Sequence, residues 1–346
     1  MTKLHFTKAK ITAITTTVGD QKIDFLEEAA SLGYTEEEAA RLKKSIGLNT
    51  RYIVPKGVNT SDLCEQSALK IFNQLNIDPT SIDAVIMVTQ TPDYQSPSTA
   101  IALQTRLGVS KDALAFNINL GCSGLIYGLL NCYSLIQSGL ERVLLLVGDT
   151  ASNFSSNNKS LTPLMGDAGA AILIEAGASD SYFVVHSDGS GEKALYIPHS
   201  GTRCDEEDEK LDQQMYMDGA AVFNFTLKVI PKLIDDVMEF SGVEKDDVDY
   251  FVFHQPNKYI LRNAQKRLKI KEDKLPSQTQ SVYGNQNSAS IPGTINGFLS
   301  DDINGKINQC IFAGFGIGLS WGACKLTLEG IYAPPVEKFK NGKSNG

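Results

Sequence analysis

Two parts of the chain repeat one order of apolar and polar positions. From Ala68, "ALKIFNQLNIDPTSIDAVIMV" has apolar residues at helical spacing, then a polar turn, then the apolar run Ala84–Val88. From Leu233, "LIDDVMEFSGVEKDDVDYFVF" repeats this order and ends on the apolar run "YFVF". Helical spacing followed by a short apolar run predicts a helix that leads into a buried strand.

A second pair of segments indicates a duplication. A predicted helix after Cys122 leads into the strand "RVLLLVGD", and "GNQNSASIPGTINGFLS" leads into "QCIFAGFG", about 166 residues further on when measured from Gly148 to Gly314. Continuous apolar strands that alternate with helices favour largely parallel sheets covered on both faces. We therefore expect an α/β protein whose halves, residues 1–180 and 181–346, stack in five layers as αβαβα.

Composition narrows the class of function. The 346 residues are 42% hydrophobic and carry a formal net charge of −8, which argues against a nucleic-acid partner. No apolar run approaches the ~20 residues of a membrane span. The start of the chain has no signal-peptide pattern, and the six cysteines have no close pairing, so we expect a cytoplasmic protein with free thiols. The four histidines are not spaced with cysteines as in a zinc site, so no metal is expected.

Cys122 is the first candidate for chemistry. It lies in "NLGCSGLIYGL", between the strand-like "LAFNIN" and the start of a predicted helix. The unpaired N–H groups at a helix start favour an anion, so this position is expected to lower the pKa of the thiol. The stretch alone fits a small buried cysteine equally well.

His254 and Asn285 are the second and third candidates. His254 follows the strand "YFVF", at the sheet edge where α/β proteins place their sites, and Asn285 lies in the small polar segment "YGNQNSASIP". Alone, the histidine fits a structural role and the asparagine fits a turn. The duplication places Cys122 and "GNQNSAS" at nearly equivalent positions, so we expect both helix starts to face one central cavity, with His254 beside them.

The motifs together resemble one family. "GCSGLIYGL", "VFHQPN", "YGNQNSASIP" and "GFGIGLSWGA", with "MGDAGAAILIE" and "MDGAAVF", are similar to β-ketoacyl-acyl-carrier-protein synthase III and its relatives among the thiolase-fold condensing enzymes. The similarity spans nearly the whole chain. It implies a thiolase-like fold and a homodimer, in which the segment "STAIALQTRLG" is expected to form a helix at the interface.

The resemblance also implies roles for the three candidates. Cys122 would take an acyl group from a thioester of coenzyme A or of an acyl-carrier protein. His254 and Asn285 would donate hydrogen bonds to the thioester carbonyl of a malonyl group as carbon dioxide leaves. The backbone N–H groups of Cys122 and Ile317 would form an oxyanion hole. No metal and no redox cofactor is implied.

Several positions depart from the family pattern. Where relatives carry a tryptophan and an arginine that hold the adenine of coenzyme A, this chain has Arg41 and Ser45 near "KKSIGLNTR". Tyr259 stands in place of a further arginine. Ser96 stands where straight-chain initiators often have a phenylalanine that caps the acyl pocket across the dimer, so a longer, branched or polar acyl group is conceivable.

A set of cations offers a replacement for the missing arginine. They repeat at helical spacing, which places four of them on one helix face with a fifth beside them: Lys258, Arg262, Lys266, Lys269 and Arg267. This basic patch could receive a phosphopantetheine phosphate or an acidic carrier protein. An ordinary solvated helix face is the alternative.

Other functions remain open at this point. Some relatives of the same fold transfer the acyl group to a hydroxyl or an amine without decarboxylation. The order Cys, His, Asn also occurs in papain-like proteases, although "GCSGL" differs from their cysteine motif. A non-catalytic carrier-binding module is a further alternative. Thiolase itself is disfavoured because "GFGIG" lacks its second cysteine.

Overall fold

The computed structural model describes residues 2–155, 158–198, 200–203 and 215–340. The strands are β1 (Thr2–Phe6), β2 (Ala9–Val18), β3 (Gln21–Asp24), β4 (Thr50–Ile53), β5 (Ala84–Val88), β6 (Leu114–Ile118), β7 (Arg142–Asp149), β8 (Ala168–Ala176), β9 (Ser181–Ser187), β10 (Leu195–Tyr196), β11 (Tyr216–Met217), β12 (Tyr250–Phe253), β13 (Ile307–Gly316), β14 (Ser320–Glu329) and β15 (Glu337–Lys338).

The α-helices are α1 (Phe25–Glu28), α2 (Glu36–Ile46), α3 (Thr60–Leu75), α4 (Thr99–Arg106), α5 (Gly124–Gln137), α6 (Ser152–Ser155), α7 (Gly219–Ser241), α8 (Lys258–Leu268), α9 (Thr279–Tyr283), α10 (Ser290–Phe298) and α11 (Ser300–Ile303). Short 3₁₀ turns occur at Pro79–Ser81, Thr162–Leu164, Gly189–Ala194, Lys245–Asp247, Glu272–Lys274 and Asn287–Ala289.

Two large sheets repeat one topology. The first has the order β15-β2-β8-β7-β5-β6 and the second the order β1-β9-β14-β13-β12. In the first, β5 and β7 are parallel, whereas β7–β8 and β8–β2 are antiparallel. In the second, β12 and β13 are parallel, whereas β13–β14 and β14–β9 are antiparallel. The same directions in the same order confirm that the chain repeats its own architecture.

The expectation of largely parallel sheets is wrong. Strands β12 and β13 are parallel, and helices α8 to α11 connect them. A turn of only three residues joins β13 to β14, and so short a connection permits only an antiparallel pair.

Helices fill the layers around and between the sheets. Helices α3 and α4 cover the outer face of the first sheet, and α7, with α8 packed on it, covers the outer face of the second. Helices α5 and α10 lie between the sheets and contact both. The composition of α5, "GLIYGLLNCYSLIQ", explains its position, because a helix without charged residues is suited to burial on all sides. The five layers expected from the sequence are therefore present.

Each end of the chain adds a strand to the sheet of the opposite half. Strand β1 pairs with β9 in the second sheet, and β15 pairs with β2 in the first. Each terminal strand thus extends the sheet built mainly from the other half of the sequence. The division into residues 1–180 and 181–346 stays a prediction, whereas the crossing of the ends is an observation that it did not anticipate.

Candidate active site

A cavity of about 80 Å³ opens at the carboxyl ends of β6, β12 and β13. Its wall is mainly apolar and includes Leu161, Leu164, Met165, Leu195, Met215, Met217, Val222 and Phe315. Three polar side chains expected from the sequence, Cys122, His254 and Asn285, line it together. An apolar cavity with a few convergent polar groups is the usual form of a small-molecule site.

Cys122 lies between β6 and α5, and only 8% of the residue is exposed. Burial raises the pKa of this thiol to about 12, and the nearby Asp149 carboxylate contributes in the same direction. Backbone groups of Cys122 and Ile317 oppose that rise by hydrogen bonding to the sulfur. The expectation that a helix start would lower the pKa of the thiol is therefore wrong in its net direction, because burial outweighs the backbone donors.

The turn after β13 approaches Cys122 closely. A β-carbon placed on Gly316 would lie 2.5 Å from the β-carbon of Cys122, so a side chain at this position would force the two segments apart. The absence of a side chain lets the backbone of Ile317 reach the sulfur. Glycine in "GFGIG" is thus needed for close approach.

His254 directly follows β12 and is 1% exposed. Its Nδ1 lies 2.9 Å from Ser290 Oγ, at the start of α10. Burial lowers the pKa of the imidazole to about 4, although a hydrogen bond with the backbone of Asn287 acts in the opposite direction. The ring is therefore neutral near pH 7, and Ser290 fixes its orientation.

Asn285 is held by the backbone of the neighbouring chain segment. Its N–H donates to the carbonyl of Leu164 at 2.7 Å, and its own carbonyl accepts from the N–H of Gly166 at 3.0 Å. Its Oδ1 accepts from the backbone N–H of Asn287 at 3.0 Å, and its amide nitrogen has no hydrogen-bond partner among the described residues. Asn285 is therefore a rigid amide on the cavity wall.

Comparison with known proteins identifies the family. Models of 3-oxoacyl-[acyl-carrier-protein (ACP)] synthase III match residues 116–190, and models of its C-terminal part match residues 238–328. A putative 3-oxoacyl-[acyl-carrier-protein] synthase 3 of Campylobacter jejuni is 37% identical over 96% of this chain and 98% of its own. The chain belongs to the β-ketoacyl-acyl-carrier-protein synthase III family.

Further relatives agree with this assignment. A β-ketoacyl-[acyl-carrier-protein] synthase III of Caldanaerobacter subterraneus is 33% identical over 80% of this chain and 85% of its own. The crystal structure of a 3-oxoacyl-(acyl-carrier protein) synthase from Burkholderia xenovorans superposes with a TM-score of 0.93 at 32% identity, over 97% of this chain and 99% of that one. The fold is thiolase-like and the protein is an acyltransferase, as the resemblance predicted, and the papain-like alternative falls away.

The residues expected to bind carrier or coenzyme A lie on α8 of this synthase III family member, except for Lys269, which directly follows the helix. Arg262, Lys266, Arg267 and Lys269 are exposed, and Lys258 is half-buried at the first position of the helix. The neighbouring residues Pro256, Asn257 and Ile260 line the cavity. The basic patch therefore begins beside the cavity mouth and runs outward along one exposed face.

Three other positions named from the sequence lie outside the cavity lining of this synthase III family member. Ser96 is exposed in the loop before α4, and its expected part in an acyl pocket across a dimer stays a prediction. Arg41 and Ser45 are exposed on α2. The end of α2 nevertheless meets the start of α8, because a β-carbon on Gly47 would lie 3.0 Å from that of Lys258.

Sequence reasoning missed two residues beside the thiol. Asn287 Oδ1 lies 3.7 Å from Cys122 Sγ and accepts its weak hydrogen bond. Asp149, the last residue of β7, is fully buried and interacts with both of these residues. The sequence did contain a signal for Asp149, because this carboxylate ends the apolar strand "RVLLLVGD". The carboxyl ends of neighbouring parallel strands meet at one edge of the sheet, which is where such proteins place their sites.

None of the helices in the described ranges combines the length and the apolar character needed to cross a bilayer. Nor do three or more His, Cys, Asp or Glu side chains group there in a way that could hold a metal ion.

The lowered pKa of His254 predicts a pH-dependent stability. The unfolded chain binds a proton near pH 6.5, whereas the folded chain resists it down to about pH 4, so stability is lost as the pH falls through this interval. We expect wild type to lose up to about 3 kcal/mol more than His254→Gln between pH 7 and pH 4, measured by denaturant unfolding. Parallel pH curves for the two proteins would contradict this.

Proposed function

We propose that this enzyme loads an acyl group onto Cys122 and then condenses it with malonyl-acyl-carrier protein, releasing carbon dioxide. The observation that carries the proposal is the convergence of Cys122, His254 and Asn285 on one buried, mainly apolar cavity. A thiol supplies the nucleophile, and the two nitrogen-bearing side chains supply donors for a developing negative charge.

In the loading step, Cys122 Sγ attacks the carbonyl carbon of the donor thioester. A new S–C bond forms, the bond to the donor sulfur breaks, and the proton of the Cys122 thiol passes to the departing thiol. The N–H groups of Cys122 and Ile317 stabilise the negative oxygen formed on the way, and both already face the sulfur.

In the condensation step, the malonyl thioester loses carbon dioxide and becomes an enolate. His254 and Asn285 donate hydrogen bonds to the enolate oxygen. The enolate carbon attacks the acyl carbon held on Cys122, a C–C bond forms, and the Cys122 sulfur leaves and takes up a proton. The product is a β-ketoacyl thioester, and no metal or redox cofactor takes part.

The donor role of His254 requires its proton on Nε2. Ser290 supports this tautomer when its hydroxyl donates to Nδ1, 2.9 Å away. The same hydroxyl lies 2.7 Å from the carbonyl of Asn287, so the direction of one O–H bond selects the ring nitrogen that carries the proton. Burial keeps the ring neutral, and a neutral ring with its proton on Nε2 can donate one hydrogen bond to the enolate oxygen.

Transfer of the acyl group to a hydroxyl or an amine is the second candidate. That reaction needs a general base more than an enolate-stabilising amide. Asn285, with its amide nitrogen available on the cavity wall, favours condensation.

The acyl group reaches Cys122 on coenzyme A or on an acyl-carrier protein. The narrow apolar cavity suits the thin pantetheine arm that both donors share, and the basic patch on α8 at its mouth suits the phosphate of that arm or an acidic carrier surface. Ser96 would leave room for a longer, branched or polar acyl group. The exposed Arg41 and Ser45 give no replacement for the adenine clamp.

We further propose that the enzyme is a cytoplasmic homodimer. Among the described strands β6 pairs only with β5, which leaves it at the edge of the first sheet. Leu114 on β6 and Ile101 on α4 are each about half exposed, 49% and 48%. An apolar sheet edge beside apolar helix positions is a surface that soluble proteins normally cover.

Replacing the nucleophile and the amide separates the two chemical steps. We expect Cys122→Ala to show no acyl-enzyme by intact-mass spectrometry with any of a panel of acyl-CoAs and acyl-carrier proteins. Asn285→Ala should still load, but should release carbon dioxide from malonyl-carrier protein at least about a hundredfold more slowly.

Cys132→Ala is the matched control for the first variant, because Cys132 is a fully buried thiol of α5 outside the cavity. It should load as wild type does. Acylation of Cys122→Ala would contradict the assignment of Cys122 as the nucleophile. Loading without carbon dioxide release by the wild type, with every donor, would favour simple transfer.

Charge reversal tests the basic patch. Arg262→Glu should raise the KM for malonyl-carrier protein about two- to fivefold at low salt, with a smaller effect at high salt because ions screen exposed charges. Lys8→Glu makes the same change at an exposed position outside α8 and should leave KM unchanged. Equal effects of the two substitutions would count against a specific docking surface.

Sedimentation tests the dimer. The wild type should sediment as a dimer at micromolar concentration, and Leu114→Lys should shift the population toward monomer by placing a charge on the apolar edge. Ile307→Lys is the control, since Ile307 is 66% exposed on β13. A monomeric wild type would contradict the proposal.

A further inference from the structure

A buried carboxylate lies behind the thiol, and the proposed chemistry does not use it. Asp149 ends β7 and has no exposed surface. Its Oδ1 accepts from the N–H of Gln90 at 2.7 Å, from Thr89 Oγ1 at 3.0 Å and from Thr91 Oγ1 at 3.2 Å. Three donors on one oxygen hold the carboxyl in a fixed orientation.

The other oxygen of this carboxyl is left without a partner. Asp149 Oδ2 is buried and has no hydrogen bond with any described residue. The Asn287 side chain nevertheless lowers the pKa of this carboxyl as a hydrogen-bond donor, although its amide does not complete a full hydrogen bond to Oδ2. An unpaired buried carboxylate oxygen attracts such a donor strongly, because little solvent competes for it.

The same amide contacts the thiol through its other end. Asn287 Oδ1 accepts from Cys122 Sγ at 3.7 Å. Asn287 has a positive φ of 48°, a conformation that asparagine tolerates better than most residues, and its N–H is held by Asn285. One amide therefore presents its oxygen to the thiol and its nitrogen toward the carboxylate.

We propose that Asp149 is a positioning residue that acts through the Asn287 amide to keep the resting Cys122 thiol protonated. The carboxylate draws the amide N–H groups toward itself and so turns the amide oxygen to the sulfur. An oxygen in that position accepts a hydrogen bond from S–H but repels a thiolate. The proposal deepens the function proposed above, on which it rests, by assigning how the nucleophile is stored between turnovers.

The charges around the site act in the same direction. Burial raises the pKa of Asp149 to about 6, so the group is mostly ionised at pH 7 to 8, and its charge adds to the rise in the pKa of Cys122. The titratable groups that face Asp149 are the thiols of Cys122 and of Cys64 on α3, and the pKa of Cys64 is raised by burial and also by this charge. His254 on the opposite wall is neutral.

Alkylation of the full-length enzyme by iodoacetamide tests the proposal. The thiolate reacts, the S–C bond forms and iodide leaves, so the rate reports how readily Cys122 gives up its proton. Asp149→Asn keeps the acceptor oxygen and removes the charge, which should lower the pKa of Cys122. Each unit by which the pKa of Cys122 falls gives about tenfold more thiolate, but that thiolate is about threefold less nucleophilic. We therefore expect Asp149→Asn to be alkylated about threefold faster or more at pH 8.

Two further variants complete the design. Asp167→Asn is the matched control, because Asp167 is also a fully buried carboxylate that accepts hydrogen bonds, from Ser152 and Val54, and does not act on Cys122. It should leave the rate unchanged. Asn287→Ala removes the amide and leaves the donors of Asp149 intact, so it should also accelerate alkylation. If Asp149→Asn does not fold, the alkylation rate of Asn287→Ala tests the proposal in its place.

The rate must be read at the Cys122 peptide by mass spectrometry, since the chain contains five other cysteines. An Asp149→Asn rate within twofold of wild type, or an equal acceleration by Asp167→Asn, would overturn the proposal. The assay uses no thioester. A failure to form acyl-enzyme would therefore refute the proposed function alone, and an unchanged alkylation rate would refute this proposal alone.

Discussion

Exclusion of water from the junction of the two sheets is the constraint on which the site depends. Burial is the largest influence on the pKa of each titratable group there, raising those of Cys122 and Asp149 and lowering that of His254. For the thiol and the imidazole, burial favours the neutral form. The cavity therefore holds an uncharged thiol beside an uncharged imidazole, and the fixed hydrogen-bond donors around them act strongly because little solvent competes.

The repeated topology creates that dry junction. Helices α5 and α10 are the equivalent elements of the two repeats and lie between the sheets, so the segments that precede them meet in the middle of the molecule. Cys122 precedes one of these helices and Asn285 precedes the other. His254 arrives from the end of β12, and the glycine turn after β13 closes over the sulfur. Four separate segments thus converge on one small volume.

The surface distribution of charge complements this interior. The protein is acidic overall, yet α8 begins at the cavity and carries cations along its exposed side, while its buried face, with Ile260, Leu261 and Ala264, packs into the core. Under the function proposed above, this local positive charge on an acidic protein would attract an anionic ligand toward the mouth of the cavity. The same helix therefore supports the wall of the site and marks its entrance.

The sequence by itself determined the duplication, the layered fold, the family and the three residues that line the cavity. Each is carried by local patterns, such as the apolar strands Ala84–Val88 and "RVLLLVGD", or by motifs read residue by residue. Only the tertiary structure decided the antiparallel neighbours of β8 and β14 and the crossing of the chain ends, because strand pairing depends on distant segments. It also decided the state of the thiol. The pKa of Cys122 follows from burial and from Asp149 and Asn287, which lie far from it along the chain and beside it in the fold, so no pattern around "GCSGL" could reveal that burial outweighs the helix start.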